Sequence, residues 1–567
     1  MISDSGMEAT ISRLRGARWV DAVWLFLLCT LTGYYCVSSA AELSATFDEP
    51  FYLKAGLESW RTGSNEKLMR AGTMPLPVDV QTGIVYAWER YRGSEFDVDE
   101  DFAKILPYAR AGNLIFWFLL LIYSLKLGNY LGGPWAGRLS AGIVALDPNL
   151  LGHASLATTD ISITTAVIVF VYYYLTTREK RWYLRVGLMG ALYGFAILTK
   201  ASGLVFAPLC MLVLEASRLY PHFRQETAGT SGPSRLSWIW RTTSQFRRES
   251  VQIGLIGMIF VFGWVGSDYK PQSSFVKWAS TLPEGTLRNS MDWISTHLAV
   301  FPNAGEGLVY QIKHNFRGHG VYVLGDWYQR AVWYYFPLTL LIKLSLPVLV
   351  LLIVSFLNPR LFLRNPIFWL ALAFFAFSLN CRVQIGVRFM LPLITFLLIY
   401  ASIALIQSRP GTWPKPIRRG LVAACLLLVA LPSLVVWPHG LCYANQIWGG
   451  SQKTYEYLSD SNFDWGQGLK ELADWQQKHP EAPLHVWYFG MDPTVKHPPH
   501  HLVQLHMLNL KESGEVDALL KGGYLAVGVT LLHSNPNLSP SGAIALEDLK
   551  HKKPIDRTMT FFIYDLR

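Results

Sequence analysis

Charge is what this chain has least of. Only 16% of its 567 residues are charged and 51% are hydrophobic, where an ordinary soluble chain carries about 25% charged residues. The shortfall falls in repeated apolar runs, which excludes a soluble globular class and implies a polytopic membrane protein. Cysteine is also scarce. The six, Cys29, Cys36, Cys210, Cys381, Cys425 and Cys442, lie in or beside apolar runs with no metal-like spacing. They exclude a dense disulfide framework and read as buried apolar thiols. No small-residue cleavage site follows the first apolar run. That run is too long for a signal-peptide core, so it reads as a retained helix. No repeat of solenoid length is present.

What is present is span-sized hydrophobicity. A bilayer core about 30 Å thick takes roughly 20 helical residues to cross. About eleven candidate spans lie near residues 19–40, 109–131, 135–152, 159–176, 182–199, 201–218, 250–268, 336–357, 366–381, 388–407 and 418–438. The 135–152 and 366–381 runs are short. The expected fold is therefore mainly α, a transmembrane helical bundle over residues 1–438 followed by a polar tail over 439–567.

The net charge of +10 would suit a nucleic-acid partner if its basic residues clustered, but they alternate by loop. With the N-terminus inside, the inner segments hold Arg13, Arg15 and Arg18; Arg178, Lys180 and Arg181; Arg235, Arg241, Arg247 and Arg248; Arg360 and Arg364; and Arg409, Lys415, Arg418 and Arg419. This positive-inside pattern places the N-terminus in the cytoplasm and, with an odd number of spans, the tail outside.

Two outer segments are large. Residues 41–107 read as amphipathic, with interfacial helices at 48–60 and 80–92 carrying Trp60, Tyr86, Trp88 and Tyr91. Residues 269–335 are rich in Trp and Tyr. The inner segment 219–248, rich in Ser, Thr, Arg and Gly, reads as a flexible connector. The tail reads as a small α/β unit with a helix at 466–478 and strands at 484–489, 524–530 and 560–564.

Charges at membrane depth are costly and mark functional candidates. Asp48 and Glu49 follow the first span. His153 and Asp160 stand in Gly152-His153-Ala154-Ser155-Leu156-Ala157-Thr158-Thr159-Asp160. Lys200, Arg382 and Arg388 break the inside preference for cations. Cations and acids facing one outer compartment suit a substrate with a phosphate and a hydroxyl to be deprotonated. Plainer readings stand beside these. Asp48 and Glu49 suit the cap of a helix that Pro50 begins, and Asp160 a cap of its own span. Lys200 suits snorkelling, and Arg382 a surface anchor. His314, His319, His497, His500 and His501 suit solvated loops better than a metal site, because Pro498 and Pro499 break helical spacing.

Taken in order, the Asp48-Glu49 pair, the His153 to Asp160 segment, Ala196-Ile197-Leu198-Thr199-Lys200-Ala201-Ser202-Gly203 and Gly386-Val387-Arg388-Phe389-Met390-Leu391-Pro392 resemble the GT-C membrane glycosyltransferases. The nearest branch is similar to bacterial relatives of the dolichyl-phosphate-mannose protein mannosyltransferases, and to the aminoarabinose transferase of lipid A. Residues 318–325, Trp333-Tyr334-Tyr335-Phe336-Pro337, Leu341-Ile342-Lys343, Tyr443-Ala444-Asn445 and Asp460-Ser461-Asn462-Phe463-Asp464-Trp465-Gly466-Gln467 fit the same branch.

The resemblance implies a transferase that moves a sugar from a polyprenyl-phosphate carrier to a hydroxyl of a protein, lipid or glycan on the extracytoplasmic side. The implied setting is a bacterial inner membrane, with little or no dependence on metal. It names no certain cofactor and leaves room for a divalent cation. It implies Asp48 as catalytic base and Glu49 as a group placing the acceptor. It sets His153 and Asp160 beside the sugar, and Lys200 and Arg388 on the lipid phosphate. It gives no role to Asp464-Trp465. The eukaryotic branch carries a β-trefoil domain in a lumenal loop that is not legible here, which leaves a protein acceptor in question. A transporter or flippase for a lipid-linked saccharide would use the same charges without a base.

Overall fold

The computed structural model describes residues 4–226, 232–298, 302–356, 359–408, 415–534 and 539–567. Among these, six helices are long and apolar enough to cross a membrane: Trp19–Glu42, Phe102–Gly132, Asp160–Thr177, Gly203–Phe223, Ser244–Val265 and Val387–Gln407. A seventh is a bent pair, Tyr335–Lys343 and Leu346–Phe356, turned by 113°. Three shorter apolar helices, Tyr183–Thr199, Pro366–Ser378 and Gly420–Val436, complete the set. The apolar runs thus all fall on helices, but the described helices give six or seven full crossings where the sequence suggested about eleven.

Two differences have local causes. The 135–152 run is two helices, Pro134–Leu146 and Pro148–Ala154. Pro148 starts the second, and the Asp147 carboxylate accepts from the N–H groups of Asn149 and Leu150, a capped start that ends the preceding helix. The bend after Lys343 frees carbonyls that an apolar environment would leave unpaired. Asn445 Nδ2 donates to Leu341 O at 2.7 Å and Leu344 O at 3.0 Å, and Asn149 Nδ2 to Lys343 O at 2.8 Å. Broken helices persist at membrane depth only with such partners.

The 41–107 segment is three helices, Glu49–Thr62, Glu66–Arg70 and Pro75–Arg92. Trp60 stacks on Tyr86 with centroids 5.5 Å apart. The 269–335 segment holds Ser273–Ser280, Thr286–His297, Pro302–Arg317 and a hairpin of Val321–Val323 with Asp326–Tyr328. The 219–248 segment is helical where described, with residues 227–231 outside the described residues, as is Arg409.

The tail folds on a five-stranded sheet in the order His500–Leu502, Leu484–Trp487, Tyr524–Gly528, Phe561–Asp565, Asp556–Arg557. The first three strands run parallel and the last two pair antiparallel. Alternate residues of the central strands feed two cores. Leu484, Val486, Tyr524 and Ala526 meet Leu469, Leu472 and Trp475 of the Leu469–Lys478 helix on one face. Trp487, Leu525 and Val527 meet Val516, Leu520, Ala545 and Leu549 on the other. Helices on both faces explain why these strands read as continuous apolar runs. The strands His500–Leu502 and Asp556–Arg557 are too short and polar to carry a sequence signal.

Candidate functional site

The site is built where helix ends carrying Asp48, Asp160, Lys200 and Arg388 meet. Asp48 precedes the Glu49–Thr62 helix, which has Pro50 in its first turn. The position is that of a cap, but the Asp48 side chain makes no capping hydrogen bond. Arg388 Nη1 donates to Asp48 Oδ2 at 2.8 Å instead, with Asp48 26% exposed and Arg388 9%. Arg388 lies in the 3-10 turn Val387–Met390, where its guanidinium sits 4.2 Å over the Trp465 ring. Its Nε is buried without a partner among the described residues.

A second ion pair repeats the pattern. Asp160 opens its helix without capping it and accepts from Lys200 Nζ at 2.6 Å. Lys200 follows the Met189–Thr199 helix in extended backbone, so its ammonium turns inward to Asp160 and over the Phe389 ring at 4.7 Å rather than snorkelling to the surface. Asp160 Oδ2 has no hydrogen-bond partner among the described residues.

Glu49 goes elsewhere. It is fully buried, and Arg110 donates to it through Nε and Nη2, both at 2.8 Å. The N–H of Ala157, the N–H of Thr46 and the Thr46 hydroxyl complete its shell. The return from Glu49 to the Thr46 N–H resembles a capping box. Burial pushes the Glu49 carboxyl up, but Arg110 and these donors outweigh it and hold the group below the usual carboxylate range. Both Glu49 oxygens are occupied by protein, and the residue ties the Asp48 turn to the chain before Asp160.

His153, near the end of the Pro148–Ala154 helix, is buried, with its Nδ1 unpartnered among the described residues and its ring edge-on to Trp465 at 6.4 Å. Burial pushes the imidazole down to about 4, so it is neutral at pH 7. Tyr52 feels the charges of Asp48, Arg388 and Asp160, and burial raises its phenol well above its ordinary value.

Beside the ion pairs lies a cavity of about 440 Å³. Lys200, with Tyr52, Thr159 and Phe389 beside it, forms its polar side, and Phe206, Ile312 and Phe377 line its apolar wall. Arg382, which is exposed, also lines it and donates through Nη1 to Phe316 O at 3.1 Å. Arg388 is not among the lining residues; Phe389, its neighbour, borders both. His314 and His319 meet ring nitrogen to ring nitrogen at 3.2 Å. No group of three or more metal-ligating side chains occurs among the described residues.

The sequence missed Arg110, Tyr52 and the contacts of Asn462 and Trp465. Arg110 was the most legible, a cation inside an apolar run.

The family model described as dolichyl-phosphate-mannose-protein mannosyltransferase matches residues 95–225. That span holds Arg110, His153, Asp160 and Lys200, and the resemblance read from the motifs is borne out over it. No curated protein matches the chain. Among solved structures, the chain is similar to ArnT from Cupriavidus metallidurans bound to undecaprenyl phosphate, at 15% identity and a TM-score of 0.44, with 96% of this chain and 98% of that one covered. The apo state of that protein gives 14%, 0.46, 97% and 98%. The archaeal oligosaccharyltransferase AglB from Archaeoglobus fulgidus, in complex with an inhibitory peptide and a dolichol-phosphate, gives 11%, 0.43, 97% and 75%.

Proposed function

We propose that the chain is a membrane glycosyltransferase that moves a sugar from a polyprenyl-phosphate carrier to a hydroxyl of a protein, lipid or glycan. In this reading residues 1–438 are the catalytic bundle, in a bacterial inner membrane with the N-terminus in the cytoplasm. Residues 439–567 form an extracytoplasmic unit.

The observation that carries the reading is the pairing of Asp48 with Arg388 and of Asp160 with Lys200 beside an apolar cavity that Lys200 lines. A lipid phosphate needs cations beside an apolar channel, and an acceptor hydroxyl needs a carboxylate at the same place. Arg388 and Lys200 take the phosphate oxygens, the arginine through parallel N–H donors. Asp48, released from Arg388, removes the acceptor proton as its oxygen attacks the anomeric carbon. The bond from that carbon to the phosphate oxygen breaks, and the polyprenyl phosphate leaves with its charge held by Lys200 and Arg388. His153, neutral and with a free ring nitrogen, and Asp160 Oδ2 offer hydrogen bonds to sugar hydroxyls. Glu49 and Arg110 fix the turn that presents Asp48.

The test is binding and transfer by the purified full chain in nanodiscs. Undecaprenyl phosphate is the probe for the carrier site, and polyprenyl-phosphate sugars are the donors. Arg388→Ala should weaken probe binding strongly, and Arg388→Lys should restore it only in part. Unchanged binding by Arg388→Ala would overturn the phosphate assignment. Donor movement across the membrane without sugar transfer would favour a flippase.

A further inference from the structure

The segment from Asp460 to Gln467 joins the bundle to the tail domain, and it touches both halves of the ion pair. On the acid side, Phe47 N–H donates to Trp465 O at 2.8 Å and Ser44 N–H to Gln467 O at 3.1 Å. Leu469 N–H donates to Ser44 Oγ at 3.0 Å. The residues that lead into Asp48 are thus held by this strap. On the arginine side, Val387 N–H donates to Asn462 Oδ1 at 2.9 Å, and the Ser461 hydroxyl donates to Ile385 O. Trp465 lies under the Arg388 guanidinium, and its ring meets the edge of His153.

The strap is itself braced. Gln467 accepts from Trp465 N–H at 2.8 Å and donates to Phe463 O at 2.7 Å. Asp464 accepts from the N–H groups of Gly466 and Thr530. Tyr488 Oη donates to Gly466 O at 2.6 Å. Lys343, buried in the bundle, donates to Leu441 O and Asn462 O. Gly466 has φ of 95°, and a Cβ there would lie 2.7 Å from Gly490 Cα, so the turn admits only glycine.

We propose that Trp465 is a positioning residue for Arg388, so that the tail domain is part of the phosphate site rather than an appendage. The chemistry favours this arrangement. A cation–π contact engages the face of the guanidinium and leaves its in-plane donors free. Arg388 is held by its face, which leaves its in-plane donors, the unpartnered Nε and the Nη that Asp48 gives up, for phosphate oxygens. An arginine without the indole would lose that orientation while keeping its charge.

The inference rests on the phosphate role proposed for Arg388, and the test separates the two. Undecaprenyl phosphate binding is measured on the full chain in nanodiscs for Trp465→Leu, Trp465→Met, Trp465→Phe, Arg388→Ala and the double variant Arg388→Ala/Trp465→Leu. Trp465→Leu and Trp465→Met should weaken binding by on the order of 10-fold. Trp465→Phe, which keeps an aromatic face, should recover most of it. The loss should vanish in the Arg388→Ala background, because a residue acting through Arg388 has nothing to position there. If Trp465→Leu does not fold, Trp465→Met, which fills the space without a ring, decides against Trp465→Phe. Equal binding by Met and Phe variants, or an equal further loss in the Arg388→Ala background, would overturn the positioning role. No effect of Arg388→Ala itself would instead overturn the phosphate site.

Discussion

Arg388 holds Asp48 by a single Nη donor at 2.8 Å, so the carboxylate proposed as base is paired with the cation proposed to take the phosphate. In that reading donor binding and release of Asp48 are one event. Asp48→Asn keeps the size and an acceptor oxygen but removes the charge that competes for Arg388. It should lose transfer by on the order of 10²-fold or more while binding undecaprenyl phosphate at least as tightly as the parent. Several-fold weaker binding in a titration would mean that Asp48 supports Arg388 instead of competing for it.

The second pair makes a different prediction, because Asp160 is buried and Lys200 only partly so. Lys200→Ala strands a carboxylate in the interior. Removing one partner of such a pair costs about 3 kcal/mol. Lys200→Ala should therefore lower thermal stability in detergent, and Lys200→Ala/Asp160→Asn should recover most of the loss without recovering phosphate binding. Equal stability of the single and double variants would show that Asp160 is solvated in the folded state.

Glu49 makes a pH prediction with a definite sign. Its folded carboxyl is held below the ordinary range, so the pair with Arg110 contributes stability above the unfolded value, about 4.3. That contribution is lost as pH falls through the lowered folded value. Glu49→Gln should cost roughly 3 kcal/mol at pH 7, and the gap from the parent should begin to narrow as pH falls below about 4.3. Thermal unfolding of the two proteins from pH 7 to pH 3.5 reads this directly. A gap independent of pH would mean that shape, not charge, carries the role of Glu49.

Much of this was legible from residue order, and what was not has physical reasons. Apolar runs located the helices because hydrophobic length is a local property. The broken spans were less visible, although Asp147-Pro148 is a written start signal. Successive helical residues point about 100° apart. Either Asp48 or Glu49 could therefore have met Arg388, and only the position of Arg110, far along the chain, decides it. The unassigned motif Asp464-Trp465 works through a ring face and a backbone carbonyl, contacts with no signature in sequence. The cations Lys200 and Arg388 announced themselves by breaking the loop charge pattern. Each carboxylate partner is set by tertiary structure.

Orientation in the membrane yields the last prediction. Asp48, Asp160, Lys200 and Arg388 stand at helix ends that meet one another, so they share one side of the bundle. The strap of the tail domain contacts the same residues, which puts that domain on the same side. The other end of the Asp160–Thr177 helix leads to Arg178, paired with Glu215 and Glu249, and to exposed Lys180. The positive-inside rule assigns that end to the cytoplasm, and the site with its tail domain to the outside. The check uses a background in which the two half-buried cysteines, Cys29 and Cys381, are replaced by alanine, the other four being buried. In intact cells a membrane-impermeant maleimide should label Glu512→Cys, exposed on the tail domain, and spare Lys180→Cys until the membrane is opened. The reverse pattern would place the ion pairs in the cytoplasm and remove the proposed transfer from the outer face.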